Sequence, residues 1–178
     1  MPANKSVTAA LALIQNDQSK VLGVKIGDHD VEPGKYIPKA EAQSPPSISF
    51  AVPDPSKTYM VVALDIDAPF PSFGVLGPIL HWIQPGYKVD SIENSTTKLK
   101  SADPFVANYI GPAPPPPSSP HRYCFFLYEQ PEGFKGEKYA PPNGQKLGNW
   151  HRMRYDLDGW EEEIGLGSIL ACNYFLSN

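Results

Sequence analysis

Two carboxylates close the most apolar run of the chain: residues 59–64 lead into Asp65-Ile66-Asp67-Ala68-Pro69. On extended backbone, positions i and i+2 point to the same side, so Asp65 and Asp67 share a face. Carboxylates at the end of a buried strand are costly unless they are hydrogen-bonded, paired or bound to something. Two imidazoles stand in similar settings, His81 beside Trp82 in another apolar run and His121 ahead of Arg122-Tyr123. If the strands carrying them are neighbours, Asp65, His81 and His121 converge at one edge of a sheet. Two imidazoles and a carboxylate are a ligand set for non-haem iron or zinc, as in a metal-dependent hydrolase or lyase, although the spacing here is diagnostic of neither metal. The same groups could do acid–base chemistry, but no nucleophile elbow, reactive-cysteine signature or phosphate-cradling glycine loop accompanies them. They could also form an anion pocket, in which His and backbone N–H groups hold a phosphate or carboxylate while the aspartate orients an imidazole. The plainest alternative is a set of satisfied polar residues at a sheet edge.

Placing such groups takes a β-rich scaffold, and the composition points to one. The chain has 178 residues, which fits a single domain over 1–178. Its 21 prolines exceed twice the usual frequency of about 5%. An interior proline costs a helix about 3 kcal/mol, so a long helical bundle is excluded. Disorder is excluded too, because 41% hydrophobic and 11% aromatic residues supply ample material for a core.

Short strand-like runs appear at 21–26, 47–51, 59–64, 79–84, 87–92, 105–110 and 121–130, with Pro85-Gly86 read as a turn between two of them. Val7, Ala10, Leu11 and Ile14 follow an N-cap at Ser6 and predict a short N-terminal helix. Leu157, Trp160 and Ile164 predict a short C-terminal helix stopped by Gly165, with Glu161-Glu162-Glu163 facing water. Residues 169–176 are a strand or a buried tail. The fold class is therefore mainly β. Residues 112–120 hold six prolines between two expected strands and read as a rigid clamped loop; an exposed SH3 or WW ligand is the alternative.

A formal charge of −4 without a basic run argues against nucleic acid as partner. Cys124 and Cys172 sit in apolar contexts and read as buried reduced thiols. The apolar stretch 7–14 is interrupted by Thr8 and closed by Asn16-Asp17 without a small-residue cleavage pattern, which argues against a signal peptide, and no run approaches the roughly 18–20 residues of a membrane span, so a cytoplasmic location is expected. Asn94-Ser95-Thr96 matches a glycosylation acceptor but reads as a polar loop.

Taken together, Asp65-Ile66-Asp67-Ala68-Pro69, His81-Trp82, Tyr109-Ile110-Gly111 and His121-Arg122-Tyr123 resemble, in order and separation, the signature regions of the phosphatidylethanolamine-binding protein family. That family includes Raf kinase inhibitor proteins and plant flowering regulators, and the 150–175 ending is similar to fungal members. The resemblance implies a large central antiparallel sheet packed against a smaller one, and a non-enzymatic regulator without cofactor or metal. It also implies a pocket for phosphate, a phospholipid headgroup or another small anion. Matched residue by residue, Asp65, Pro69, His81, Gly111, Pro114, Pro115, His121 and Tyr123 fall on the pocket motif, with Tyr174 near the C-terminus and Asp67 in support. The partners implied are a serine carboxypeptidase, met through the outer surface and N-terminus as in similar yeast members, or a kinase as in animal ones. The chain departs from the animal pattern at Ala113 (glycine there), Ile79 (an aromatic rim residue) and Pro116-Pro117 (a Lys and a Gly).

Overall fold

The computed structural model describes residues 4–93 and 96–178; the polar loop expected at Asn94-Ser95 lies outside the described residues. Strands β1 (Gly23–Ile26), β2 (His29–Asp30), β3 (Lys35–Tyr36), β4 (Ser47–Ser49), β5 (Tyr59–Asp65), β6 (Ile79–Glu93), β7 (Thr96–Lys100), β8 (His121–Glu129) and β9 (Ala171–Ser177) form one sheet. Their order is β2-β1-β4-β7-β6-β5-β8-β9-β3. Pairing is antiparallel except between β3 and β9. The long β6 belongs to a larger half with β5, β8 and β9 and to a smaller half with β7, β4 and β1.

The two edge strands, β2 and β3, are joined only by residues 31–34. That link reaches at most about 17 Å, so the sheet has to curl until its edges approach. Buried Asn173 seals the seam, donating from Nδ2 to the carbonyls of Leu22 (2.8 Å) and Val31 (2.9 Å).

Curling gives the sheet an inside and an outside, and β5 and β8 are buried on both. Tyr59, Val61, Ala63, Tyr123, Phe125 and Leu127 face inward against Val24, Ile48 and Leu99 of the smaller half. Met60, Val62, Leu64, Cys124, Phe126 and Tyr128 face outward beneath the helices. Double-sided burial is why these strands read as continuous apolar runs rather than as alternation. Each Val, Leu or Phe so buried stabilises the fold by about 1.5–3 kcal/mol.

Helix α1 (Lys5–Asn16) covers the outer face with Val7, Ala10 and Ile14, and α2 (Leu157–Ile164) adds Leu157 and Trp160. The cap of α1 differs from the expected one, because Ser6 lies inside the first turn. The free Lys5 and Ser6 amides donate instead to the Asp158 carboxylate of α2, at 2.7 and 3.1 Å. A carboxylate on first-turn amides is worth about 1 kcal/mol, here supplied across the chain rather than locally. Asp156 caps α2 by accepting from the Gly159 amide, and Gly165 ends it at φ 71°. The acidic triplet does not face water as a unit. Glu162 and Glu163 are exposed, whereas half-buried Glu161 accepts from the hydroxyls of Tyr128 and Ser6.

Two strand expectations need correction. Pro85-Gly86 is no turn: β6 passes through it in a bulge, with Tyr59 opposite Tyr87 and Val61 opposite Gln84. Gly86 meets the bulge's demand with φ +79°, and a Cβ there would lie 2.2 Å from the Asp103 carboxylate. The run 105–110 is no strand either. It lies along β6 through an isolated bridge between Ile83 and Ala107 and forms a wall. Among the described residues no helix is long and apolar enough to cross a membrane. Cys124 and Cys172 are free and buried, and burial pushes the Cys172 thiol up to about 12.

Candidate functional site

Asp65 ends β5 directly opposite Tyr123, and His121 opens β8 directly opposite Ser177 of β9. Strand parity places all four on the inner face. His81 arrives by a different device. Leu64 pairs with Leu80 but Ala63 pairs with Trp82, so His81 is the extra residue of a second bulge in β6, which re-aims its side chain. The His81 ring stands edge-on to Tyr123 at 5.0 Å, and Tyr123 stacks between His121 (6.3 Å) and Phe175 (5.2 Å).

Hydrogen bonds fix the protonation of both imidazoles. The Ser118 hydroxyl donates its one proton to the Ser119 carbonyl at 2.8 Å, so at 2.8 Å from His121 it accepts from Nε2–H. His121 Nδ1–H donates to Asp65 Oδ2, also at 2.8 Å. A ring that donates from both nitrogens is an imidazolium. Burial opposes that charge, but the hydrogen bond to Asp65 and the fields of Asp65 and Asp67 prevail and raise the His121 pKa above the ordinary imidazole value. His81 is the opposite case. Its Nδ1–H donates to the Ile110 carbonyl at 2.7 Å, which leaves Nε2 as a lone-pair acceptor with no partner among the described residues. Burial lowers its pKa against the pull of Asp65 and the Ile110 carbonyl.

Asp67 turns onto Arg122, accepting from its backbone N–H (2.9 Å), Nε (2.8 Å) and Nη2 (2.7 Å), while the Asp67 amide donates to Asp65 Oδ1 at 2.9 Å. Asp67 therefore braces the loop behind Asp65, and the Pro69 carbonyl lies against the His121 ring. The proline loop is pinned at both ends. Gln43 donates to the Pro112 carbonyl and Asn178 to the Ser118 carbonyl, both at 3.1 Å. Pro112 and Pro114 are buried and Pro115, Pro116 and Pro117 exposed. Gly111 permits a close approach: a Cβ there would lie 2.5 Å from Gln43 Oε1.

The Tyr123 hydroxyl is buried and makes no well-formed hydrogen bond among the described residues, although the Asp65 carboxylate and the Ala113 backbone lie beside it. Ser177 Oγ, beside His121 across the strand pair, is likewise without a partner among the described residues. Tyr174 does not join this group. It pairs with Cys124, packs into the outer cluster beneath α1 and lines a cavity with Leu11, Ile14 and Arg122. Its neighbour Phe175 is the residue that points inward.

Ser118, Ser177, Phe175 and Arg152 complete the site without any signal in the sequence. Arg152 is 1% exposed and has no acidic partner among the described residues. Its guanidinium donates to the carbonyls of Leu147, Leu80 and Asn108, each at 3.1 Å, and to Asn108 Oδ1 at 2.7 Å. It thereby ties the 106–110 wall to β6 behind His81. The metal reading loses its ligand set, since Asp65 and His121 are committed to each other and His81 offers one nitrogen. Among the described residues no three His, Cys, Asp or Glu are grouped to hold a metal ion.

Fold and cluster together define a curled β-protein with a buried acid–imidazole pair at one end of its sheet, behind a proline-rich loop. Residues 27–174 match the family model for phosphatidylethanolamine-binding protein, and the chain belongs to that family. It is 26% identical over 169 residues to the carboxypeptidase Y inhibitor of Saccharomyces cerevisiae, covering 80% of this chain and 76% of that protein. The crystal structure of carboxypeptidase Y inhibitor complexed with the cognate proteinase superposes with a TM-score of 0.73 at 25% identity, over 97% of this chain and 93% of the other. Phomoidride biosynthesis cluster protein N of Talaromyces stipitatus is 32% identical over 122 residues, 67% of this chain and 58% of its own length. A phosphatidylethanolamine-binding protein from Plasmodium vivax shares the fold, with a TM-score of 0.62 at 19% identity over 88% of this chain and 84% of that one.

Proposed function

We propose that the chain is a single-domain, non-enzymatic regulatory protein whose pocket takes a phosphate, a phospholipid headgroup or another small anion. Its walls are Asp65, Pro69, His81, Tyr123 and the loop at Gly111, Pro114 and Pro115. The ion pair of Asp65 and His121 forms the floor. The observation that carries this reading is the Tyr123 hydroxyl, a buried donor that makes no well-formed hydrogen bond among the described residues. Leaving such a group unsatisfied costs about 1–3 kcal/mol, a penalty that an oxyanion removes. Tyr123→Phe is the direct test. It takes away no hydrogen bond within the protein, so the urea midpoint should hold or rise, while affinity for inorganic phosphate falls roughly tenfold or more. Unchanged phosphate affinity in that variant would sink the reading.

Similarity to the yeast carboxypeptidase Y inhibitor over most of both chains favours a second reading, inhibition of a serine carboxypeptidase through the outer surface and the N-terminal segment. On that reading, inhibition by the purified chain is unaffected by Tyr123→Phe and by saturating phosphate. Complete absence of inhibition removes it.

A further inference from the structure

We propose that this pocket, taken as the oxyanion site described above, selects oxyanions that bring their own proton: the ligand's O–H donates to His81 Nε2 while its bare oxygens accept from the Tyr123 hydroxyl. The class is hydrogen phosphate and monoprotonated phosphomonoesters, in preference to sulfate and phosphodiesters. Two independent observations carry the inference, the tautomer of His81 locked by the Ile110 carbonyl and the unpartnered Tyr123 hydroxyl.

The charges around His81 leave little else for an anion. From β5 comes Asp65, a carboxylate that offers only acceptor oxygens. From β8 come His121, whose two N–H groups are taken by Asp65 and Ser118, and Tyr123, whose hydroxyl lies beside Asp65 and the Ala113 backbone without a well-formed hydrogen bond among the described residues. The 149–155 segment supplies Arg152, whose donors are turned onto carbonyls and Asn108. The 106–110 wall supplies the Ile110 carbonyl and Tyr109, whose hydroxyl donates to the Ala42 carbonyl. Asp67 is paired with Arg122. The Asp65 and His121 charges cancel and the Arg152 charge acts on His81 only through space, where it disfavours a charged ring, so a neutral His81 offers an anion no donor of its own. A fully deprotonated oxyanion then sets lone pair against lone pair at Nε2. It binds only after the ring takes a proton from solvent, which burial resists. Hydrogen phosphate meets the same nitrogen with a P–O–H donor and needs no such step.

Calorimetric titration of the full chain with inorganic phosphate, sulfate and dimethyl phosphate tests this, the last probe representing a phosphodiester headgroup. At about pH 7.5, above the ordinary imidazole pKa of about 6.5, phosphate should bind at least tenfold tighter than the other two. On acidification, sulfate affinity should climb about tenfold per pH unit until His81 is protonated. In two buffers of different ionisation heat at about pH 9, where free phosphate is essentially all hydrogen phosphate, sulfate binding should take up a proton and phosphate binding should not. His81→Gln, which offers a non-titrating amide donor, should flatten the sulfate profile, and the wild-type proton count stands even if that variant folds poorly. Equal, pH-independent affinity for phosphate and sulfate overturns the inference and leaves the pocket standing. Failure of all three probes to bind at any pH removes the pocket itself.

Discussion

Replacing Arg152 by methionine should lower folding stability by about 3–5 kcal/mol, a large shift in the urea midpoint. Arg152 is one of the largest fully buried side chains, and it serves four acceptors on three segments, at Leu147, Leu80 and Asn108. Two terms oppose each other. Removing an uncompensated buried cation recovers some desolvation, the term by which burial lowers the Arg152 pKa. Against it, buried acceptors lose their donors at about 1–3 kcal/mol each, and several such losses outweigh one recovered desolvation. Lysine is no remedy, because one ammonium cannot span a fork of acceptors that a planar guanidinium reaches at once. Phosphate binding should weaken in any folded fraction, since Asn108 anchors the wall whose Ile110 carbonyl sets the His81 tautomer. A midpoint within about 1 kcal/mol of wild type would contradict this account of Arg152.

His121→Ala should be about as damaging, at about 3–5 kcal/mol, because it leaves the Asp65 carboxylate buried without its counter-ion. Removing both partners should cost less than the sum of the single losses, a coupling that a double-mutant cycle reads directly. The effect depends on pH with a definite sign. The folded pKa of His121 is raised, so its contribution is complete below the unfolded value of about 6.5 and fades as pH climbs through the folded value. The gap between wild type and His121→Ala should therefore narrow in alkaline solution. His81 works the other way: its folded pKa is lowered, so acidification below about 6.5 destabilises the native state by protonating the unfolded chain first. A gap that widens with rising pH would contradict the imidazolium assignment.

Much of the site was legible because it is written in short local motifs at strand ends. Asp65, Asp67, His81, His121 and Tyr123 all come together at one end of the sheet or directly behind it. What the sequence concealed depends on register. The His81 bulge is invisible until β6 is paired with β5, and the bulge at Gly86 looks like a turn because both need positive φ. One step of strand parity separates Tyr174, on the outer face, from Phe175, on the inner. Arg152 reaches acceptors 72 and 44 residues away, so no local pattern announces it. Ser118 stands three residues before His121, yet only the folded loop shows that its hydroxyl fixes the ring's charge.

The most direct measurement is the 15N NMR spectrum of the four histidine imidazoles at neutral pH, with and without millimolar-range inorganic phosphate. His121 should carry protons on both nitrogens and respond little, and His81 should show a bare Nε2 that shifts strongly on phosphate addition. A neutral His121, or a His81 Nε2 resonance that ignores phosphate, would contradict this reading of the pocket.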